Sequence, residues 1–303
     1  MGRLGIHTFV WTAASNQQDL EMAIERTSEL GYDLLEFPRL DPRNFDIAAL
    51  GRRAAARGLK TALSMGLPVS GDVSSEDEDV VRRGEAMLEE AVSVTRDLGG
   101  QKLAGILFSA HQKYNTAPTG RGRRNSVAVL GRVAEKARAG GVTLNLELVN
   151  RFESNLLNTV SQGLAFIEEV GSDNIFLHLD TFHMNIEESD PAQAIKLAGD
   201  RLGYFHVGES NRGYLGSGTI DFARIFDALV EVGYSDYLSF ESFSSEIVDQ
   251  SLSIACAIWR NVWTDNASLA RHAKMFVEMR YAEAQRKADA YRWPAASGRA
   301  RPT

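Results

Sequence analysis

Eight short runs of β-type residues are spread along the whole chain, and amphipathic helix-forming stretches separate them. The runs are LGIHTFV (4–10), YDLLEF (32–37), LKTALSM (59–65), KLAGILF (102–108), VTLNLEL (142–148), NIFLHLD (174–180), LGYFHV (202–207) and YLSFES (237–242). Between them lie helical segments such as DLEMAIERTSELG, EDVVRRGEAMLEEAVSVTRDLG and SVAVLGRVAEKARAGG. Several helical segments end in glycine just before the next run, at Gly31, Gly58, Gly141 and Gly233. Glycine enters the left-handed turn that stops a helix at little steric cost. Regular strand–helix alternation predicts a parallel sheet with helices outside it. Eight such units predict an α/β fold, a single (β/α)8 TIM barrel, typically ~250 residues plus insertions. A doubly wound open sheet is the rival, but no GxGxxG follows the first run.

No linker or low-complexity segment divides the chain, so residues 1–281 are expected to form one barrel domain. Residues 243–281 read as a long final helical section, a C-terminal extension of the barrel. The tail, 282–303, begins helical and ends in Pro, Gly, Ser and Arg, which predicts a disordered end. A net charge of −7 argues against nucleic acid or an anionic membrane surface as partner. The one cysteine, Cys256, excludes an internal disulfide and suits a reducing compartment. With no long apolar segment at the N-terminus or elsewhere, a cytoplasmic protein is expected.

In a barrel of this kind the working groups lie at the C-terminal ends of the strands and in the loops after them. The fifth to eighth runs deliver Glu147, Asp180, His206 and Glu241 to that rim. Singly, an acid at a strand end is more often a helix N-cap, and a histidine in GYFHVG a satisfied core residue. Four such groups on consecutive strands would repel or shift one another strongly unless a cation lay among them. Three carboxylates and one imidazole make a hard, oxygen-rich set suited to Mn²⁺, with Mg²⁺ or Co²⁺ as alternatives. Zinc more often recruits additional His or Cys. His178 alternates with Asp180 along its strand and is expected one layer deeper, in a supporting role.

The segments LELVNRFESN, LDTFHMNIEES, HVGESNRGYLG and SFESFSS occur together and in order. They resemble the ketose 3-epimerases of the D-tagatose 3-epimerase type, in the xylose-isomerase-like group of sugar isomerase barrels. The resemblance implies metal ligands at Glu147, Asp180, His206 and Glu241, and substrate contacts from Glu153, His183 and Arg212. It implies a small ketose as substrate, a homodimer or homotetramer, and inversion at C3 of an unphosphorylated sugar such as D-tagatose, D-fructose, D-allulose or L-ribulose. Inversion beside a ketone needs a proton removed from one face and returned to the other. A metal holding O2 and O3 would stabilise the enediolate as a Lewis acid, with Glu147 and Glu241 as acid and base on opposite faces. Arg212 and His183 would donate to oxygens that become more negative.

The ends of the early strands, His7, Trp11, Glu36, Ser64, Ile106 and His111, are expected to line the distal half of the sugar, with Trp11 either a hydrophobic wall for it or a core residue. Related epimerases often carry an aromatic residue where His7 and His111 stand. Glu187 and Glu188 are expected to face solvent or a helix start. Two neighbouring activities share this chemistry: aldose–ketose isomerisation, and action on a phosphorylated sugar. For the second, the glycines of GESNRGYLGSGTID offer a phosphate cradle, against which Glu246 and Asp249 are expected to set a negative field near the rim. An endonuclease-like barrel would need a basic face and more than the six histidines present.

Overall fold

The computed structural model describes residues 3–296. Among them, eight parallel strands close into a barrel in sequence order. They are β1 (Arg3–His7), β2 (Leu34–Pro38), β3 (Lys60–Leu67), β4 (Lys102–Ala110), β5 (Thr143–Glu147), β6 (Ile175–Asp180), β7 (Leu202–Val207) and β8 (Tyr237–Phe240). Closure is made by β1 pairing with β8 as well as β2, with Leu4 opposite Leu238 and Ile6 opposite Phe240. The helices are α1 (Gln17–Glu29), α2 (Ile47–Ala56), α3 (Glu78–Asp97), α4 (Gly120–Ala139), α5 (Val160–Val170), α6 (Thr181–Glu187), α7 (Pro191–Ala198), α8 (Phe222–Glu231), α9 (Gln250–Ala255) and α10 (Asn266–Ala296). Side-chain caps start them, including Asn16 on α1, Asp46 on α2 and a full Thr159/Gln162 capping box on α5. The glycines expected to stop helices do so: Gly31, Gly58, Gly141 and Gly233 have φ of 69°, 75°, 69° and 71°.

Side chains alternate along each strand between the helix layer and the barrel interior. The outward set joins the helices in one large apolar core. Inside the barrel, Leu34, Ala62, Ala104, Tyr204 and Tyr237 form a separate apolar plug. Two residues further along four of these strands, the same face carries Glu36, Ser64, Ile106 and His206. The interior therefore changes from apolar to polar toward the C-terminal rim, and that change positions the site.

The expected C-terminal helical extension is present as α10, but it starts at Asn266 rather than at 243. Strand β8 ends at Phe240; residues 241–249 cross the rim without regular structure, and α9 is short. It stops at Ala255, and two residues on, Ala257, with φ of 53°, lies in the left-handed region. Residues 258–265 then return to the barrel wall through buried Trp263. This stretch, IWRNVWTD, lacks the spacing that puts apolar residues on one helical face. The boundary expected at 281/282 falls inside α10, where Tyr281 and Ala284 are both buried. The end of the tail, 297–303, lies outside the described residues.

Candidate active site

Glu147, Asp180, His206 and Glu241 converge at the rim, each offering one ligand atom, with all four atoms within 4.8 Å of one another. His206 Nδ1 stands 3.7 Å from Glu147 Oε1 and 3.5 Å from Glu241 Oε1. It is buried without a hydrogen-bond partner. The other ring nitrogen, Nε2, lies 2.9 Å from Glu36 Oε2. Glu36 thus accepts a hydrogen bond from Nε2 and leaves Nδ1 turned toward three carboxylates. Buried polar atoms are seldom left unpaired, and a carboxylate behind a histidine is the usual outer support of a metal ligand. The donor set and the orphaned nitrogen fit a divalent cation. Burial pulls the His206 pKa down, yet Glu36 and Glu241 hold it well above the ordinary imidazole value. That excess of negative charge is what a cation would neutralise.

Asp180 unites the modest and the specific readings of its position. Its Oδ1 accepts from Phe182 N at 2.8 Å and caps α6, while Oδ2 receives Arg212 Nη1 at 2.9 Å. The same guanidinium nitrogen reaches Glu241 Oε2 at 2.7 Å. The two glutamates differ accordingly. Burial raises the pKa of both, but contact with Arg212 and His206 brings Glu241 well below the usual range. Glu147, with no such guanidinium contact, stays raised by burial.

Arg212 is held in place by its surroundings. Its φ is +57°, unusual for a residue with a Cβ and costing about 1–3 kcal/mol. Its carbonyl accepts from Ser242 Oγ, and Trp263 Nε1 donates to that oxygen at 2.8 Å. The guanidinium carbon sits 4.0 Å from the Phe182 ring centroid. The return of the chain through Trp263 thus braces a residue of the site.

His183 lies on α6 rather than in a loop, because the Asp180 cap starts a helix there. Its Nδ1 accepts from the Asn150 backbone at 3.2 Å, which leaves the proton on Nε2. That nitrogen faces Glu147 Oε1 at 3.6 Å and Asp180 Oδ2 at 3.8 Å. Asn150, absent from the sequence reading, also donates to Glu153 Oε1 at 2.8 Å. Burial raises the Glu153 pKa, but His183, His111 and Arg212 bring it to about 2.

One pocket above the cluster is lined by Glu147, Glu241 and seven of the nine residues expected at the substrate: Glu153, His183, Arg212, His7, Ser64, Ile106 and His111. His7 accepts from Phe9 N through Nδ1 and so presents its Nε2 proton to Ser64 Oγ at 3.2 Å. Phe9, Met65, Phe243, Leu252 and Cys256 also line the pocket; they come from a strand, a short helix and the irregular segments around them, and no shared spacing marks them.

Two expected lining residues are elsewhere. Trp11 is core, its Nε1 donating to Thr27 Oγ1 at 2.9 Å. Glu36 lies beneath the cluster, where its Oε2 also accepts from Tyr204 at 2.8 Å and Ser239 at 2.6 Å. Glu36→Gln is expected to keep the fold, since an amide oxygen still accepts these bonds, but to weaken divalent-metal binding by about 10–100-fold. Calorimetric titration measures this, and unchanged affinity would remove Glu36 from the role of support.

His178 is fully buried, as expected, edge-on to the His206 ring at 4.0 Å. Glu187 and Glu188 are part-buried: Glu187 accepts from the Arg151 backbone N at 2.7 Å, and Glu188 meets a helix start, accepting from Val160 N at 2.7 Å at the first residue of α5. Glu246 and Asp249 are exposed and do not line the pocket. The glycine-rich loop is filled by its own carboxylate: buried Glu209 accepts from Ser210 N at 2.8 Å and Gly216 N at 2.7 Å. Those amides are spent on Glu209 and leave no cradle for phosphate.

Residues 24–271 match the family model described as xylose isomerase-like TIM barrel, the class that the closed barrel and its carboxylate–histidine rim define. An L-ribulose 3-epimerase of Mesorhizobium japonicum is 59% identical over 95% of this chain and 97% of its own length. A ketose 3-epimerase of Arthrobacter globiformis is 45% identical over 91% of this chain and 95% of its own. The solved D-allulose 3-epimerase from a Methylomonas species, in complex with D-allulose, superposes with a TM-score of 0.89 at 43% identity, covering 93% of this chain and 98% of that one. This chain belongs to the ketose 3-epimerases, isomerase-class enzymes of that barrel family. Among the described residues, no helix is long and apolar enough to cross a membrane.

Proposed function

We propose that this protein interconverts free ketopentoses or ketohexoses with their C3 epimers, using a divalent cation held by Glu147, Asp180, His206 and Glu241. The carrying observation is the pair Glu147 and Glu241, placed 3.7 and 3.5 Å from the same unpartnered His206 nitrogen, below a pocket of hydrogen-bonding groups. The relatives support the substrate class, since those described act on L-ribulose or are solved with D-allulose.

The substrate's C3–H bond breaks as one glutamate takes the proton, and the electron pair moves toward the C2 carbonyl oxygen to form an enediolate. The other glutamate returns a proton to the opposite face of C3, so the centre inverts without the sugar turning over. When bound, the cation supplies Lewis acidity that lowers the cost of charge on the substrate oxygens, with Mn²⁺ the first choice and Mg²⁺ or Co²⁺ the alternatives. Arg212 and the Nε2 proton of His183 are donors aimed into the same space, preorganised by Ser242 and Asn150. Glu153 and His111 accept and donate toward a hydroxyl further along the chain of the sugar, and His7 and Ser64 meet the distal end.

A panel of free ketopentoses and ketohexoses, incubated with the Mn²⁺-loaded enzyme, tests the reading. C3 epimers are the expected products. An aldose product would replace this reading with aldose–ketose isomerisation, and turnover of only the phosphorylated sugars would overturn the free-sugar assignment.

A further inference from the structure

A second group of metal-ligand side chains stands at the mouth of the pocket and shares no residue with the four-ligand cluster. His111 follows β4, Glu153 lies between β5 and α5, and Cys256 sits where α9 ends. One ligand atom from each lies within 4.8 Å of the other two. Two of the three are already positioned. Glu153 Oε1 is taken by Asn150 at 2.8 Å, which leaves Oε2 facing His111 Nε2 at 3.0 Å. That nitrogen is buried and makes no properly angled hydrogen bond. His111 packs flat over Gly66, where any Cβ would come within 2.7 Å of the His111 Cβ. The third, Cys256, is a free thiol lining the same pocket.

The chemistry of this set is the opposite of the rim cluster's. One sulfur, one imidazole nitrogen and one carboxylate oxygen suit a thiophilic, tetrahedral ion and leave a fourth position for water. We propose that His111, Glu153 and Cys256 form a second cation site that takes Zn²⁺ or a similarly thiophilic ion and, when filled, closes the sugar pocket. Binding makes a sulfur–metal bond and releases the thiol proton to solvent, with no change of oxidation state. The thiol proton competes with the ion for sulfur, so acid is expected to weaken binding. Closure follows because Glu153 and His111 line the pocket, and side chains coordinating an ion are withdrawn from a sugar. Only this inhibitory consequence rests on the proposed epimerisation; ion binding stands apart from it.

Co²⁺ and Zn²⁺ are the probes, on the full chain and on Cys256→Ser. The native protein is expected to bind two Zn²⁺ per chain and, with Co²⁺, to show sulfur-to-cobalt charge-transfer absorption. Cys256→Ser is expected to bind one Zn²⁺ and lose that absorption, and His111→Ala to weaken it. Absence of the band from the native protein, or its persistence in Cys256→Ser, would overturn the site. For inhibition, each protein is compared with its own Mn²⁺-loaded rate on a free ketose. The Zn²⁺ concentration that halves the rate is expected to rise at least about tenfold in Cys256→Ser, since even lost outer supports weaken metals that much. Equal sensitivity of both proteins would assign inhibition to the four-ligand centre and overturn closure of the pocket. A native protein with the cobalt band but no turnover of any ketose would refute the epimerase reading and leave the ion site standing.

Discussion

Epimerisation by Glu147→Gln and by Glu241→Gln is each expected to fall by about 10²–10⁴-fold, the usual cost of losing a general base. Both substitutions nearly preserve shape while removing an acid–base group, and any weakening of metal binding adds to the loss. The variants should differ in what remains. If each glutamate serves one face of C3, each variant keeps exchange of the C3 proton for the single epimer whose hydrogen faces the surviving carboxylate. In D₂O the native enzyme should place deuterium at C3 of the product and not at C1 at a comparable rate. Opposite epimer preferences in the two variants would support the two-face arrangement. Near-normal epimerisation by either variant, with metal bound, would sink it. The two carboxylates do not enter this role as equals, because Arg212 lies 2.7 Å from Glu241 and keeps it ionised, whereas Glu147 has no such partner.

Chelation is the second large effect. Removal of divalent metal is expected to abolish turnover, and Mn²⁺ or Co²⁺ to restore it. The physical ground is the unpartnered His206 Nδ1 among three carboxylates. A cation bound by the native state alone stabilises it by mass action, about 2.7 kcal/mol at one hundred times Kd. For a domain of this size that corresponds to a rise of roughly 5 °C in Tm. Thermal scans with and without saturating Mn²⁺ measure it. Full activity in rigorously metal-free protein, or an unmoved Tm, would remove the cation from the site.

These two effects come from different depths of the barrel. Glu147, Glu241, Asp180 and His206 lie at strand ends, where the fold alone brings them together. How well they would hold a cation depends on the layer below. There the carboxylate of Glu36, on β2, meets His206, 170 residues later in the chain, and also accepts from Tyr204 and Ser239. A change in that buried layer therefore acts on the chemistry without touching the sugar.

The barrel was legible in the sequence because strand–helix alternation and helix-stopping glycines are local signals, each written within a few residues. Glu147, Asp180, His206 and Glu241 were legible for a related reason: a parallel barrel delivers every strand end to one rim, so position along the strand predicts convergence. Pairing across the closed barrel has no local trace. Period-two alternation says that Glu36 points inward, but only closure decides that it meets a histidine rather than a sugar. Trp11 became core, and not a pocket wall, because Thr27 on α1 accepts its indole proton. The irregular crossing after β8 depends on Trp263 reaching Ser242 and thereby Arg212. The proton on His183 Nε2 depends on Asn150, from another strand's loop. What the sequence determined by itself was the set of chemical groups and the rim that gathers them. The tertiary structure decided which ring nitrogen faces a carboxylate, which carboxylate lies beneath the rim and which ones meet at it, because those are set by burial and by hydrogen bonds between residues far apart in the chain.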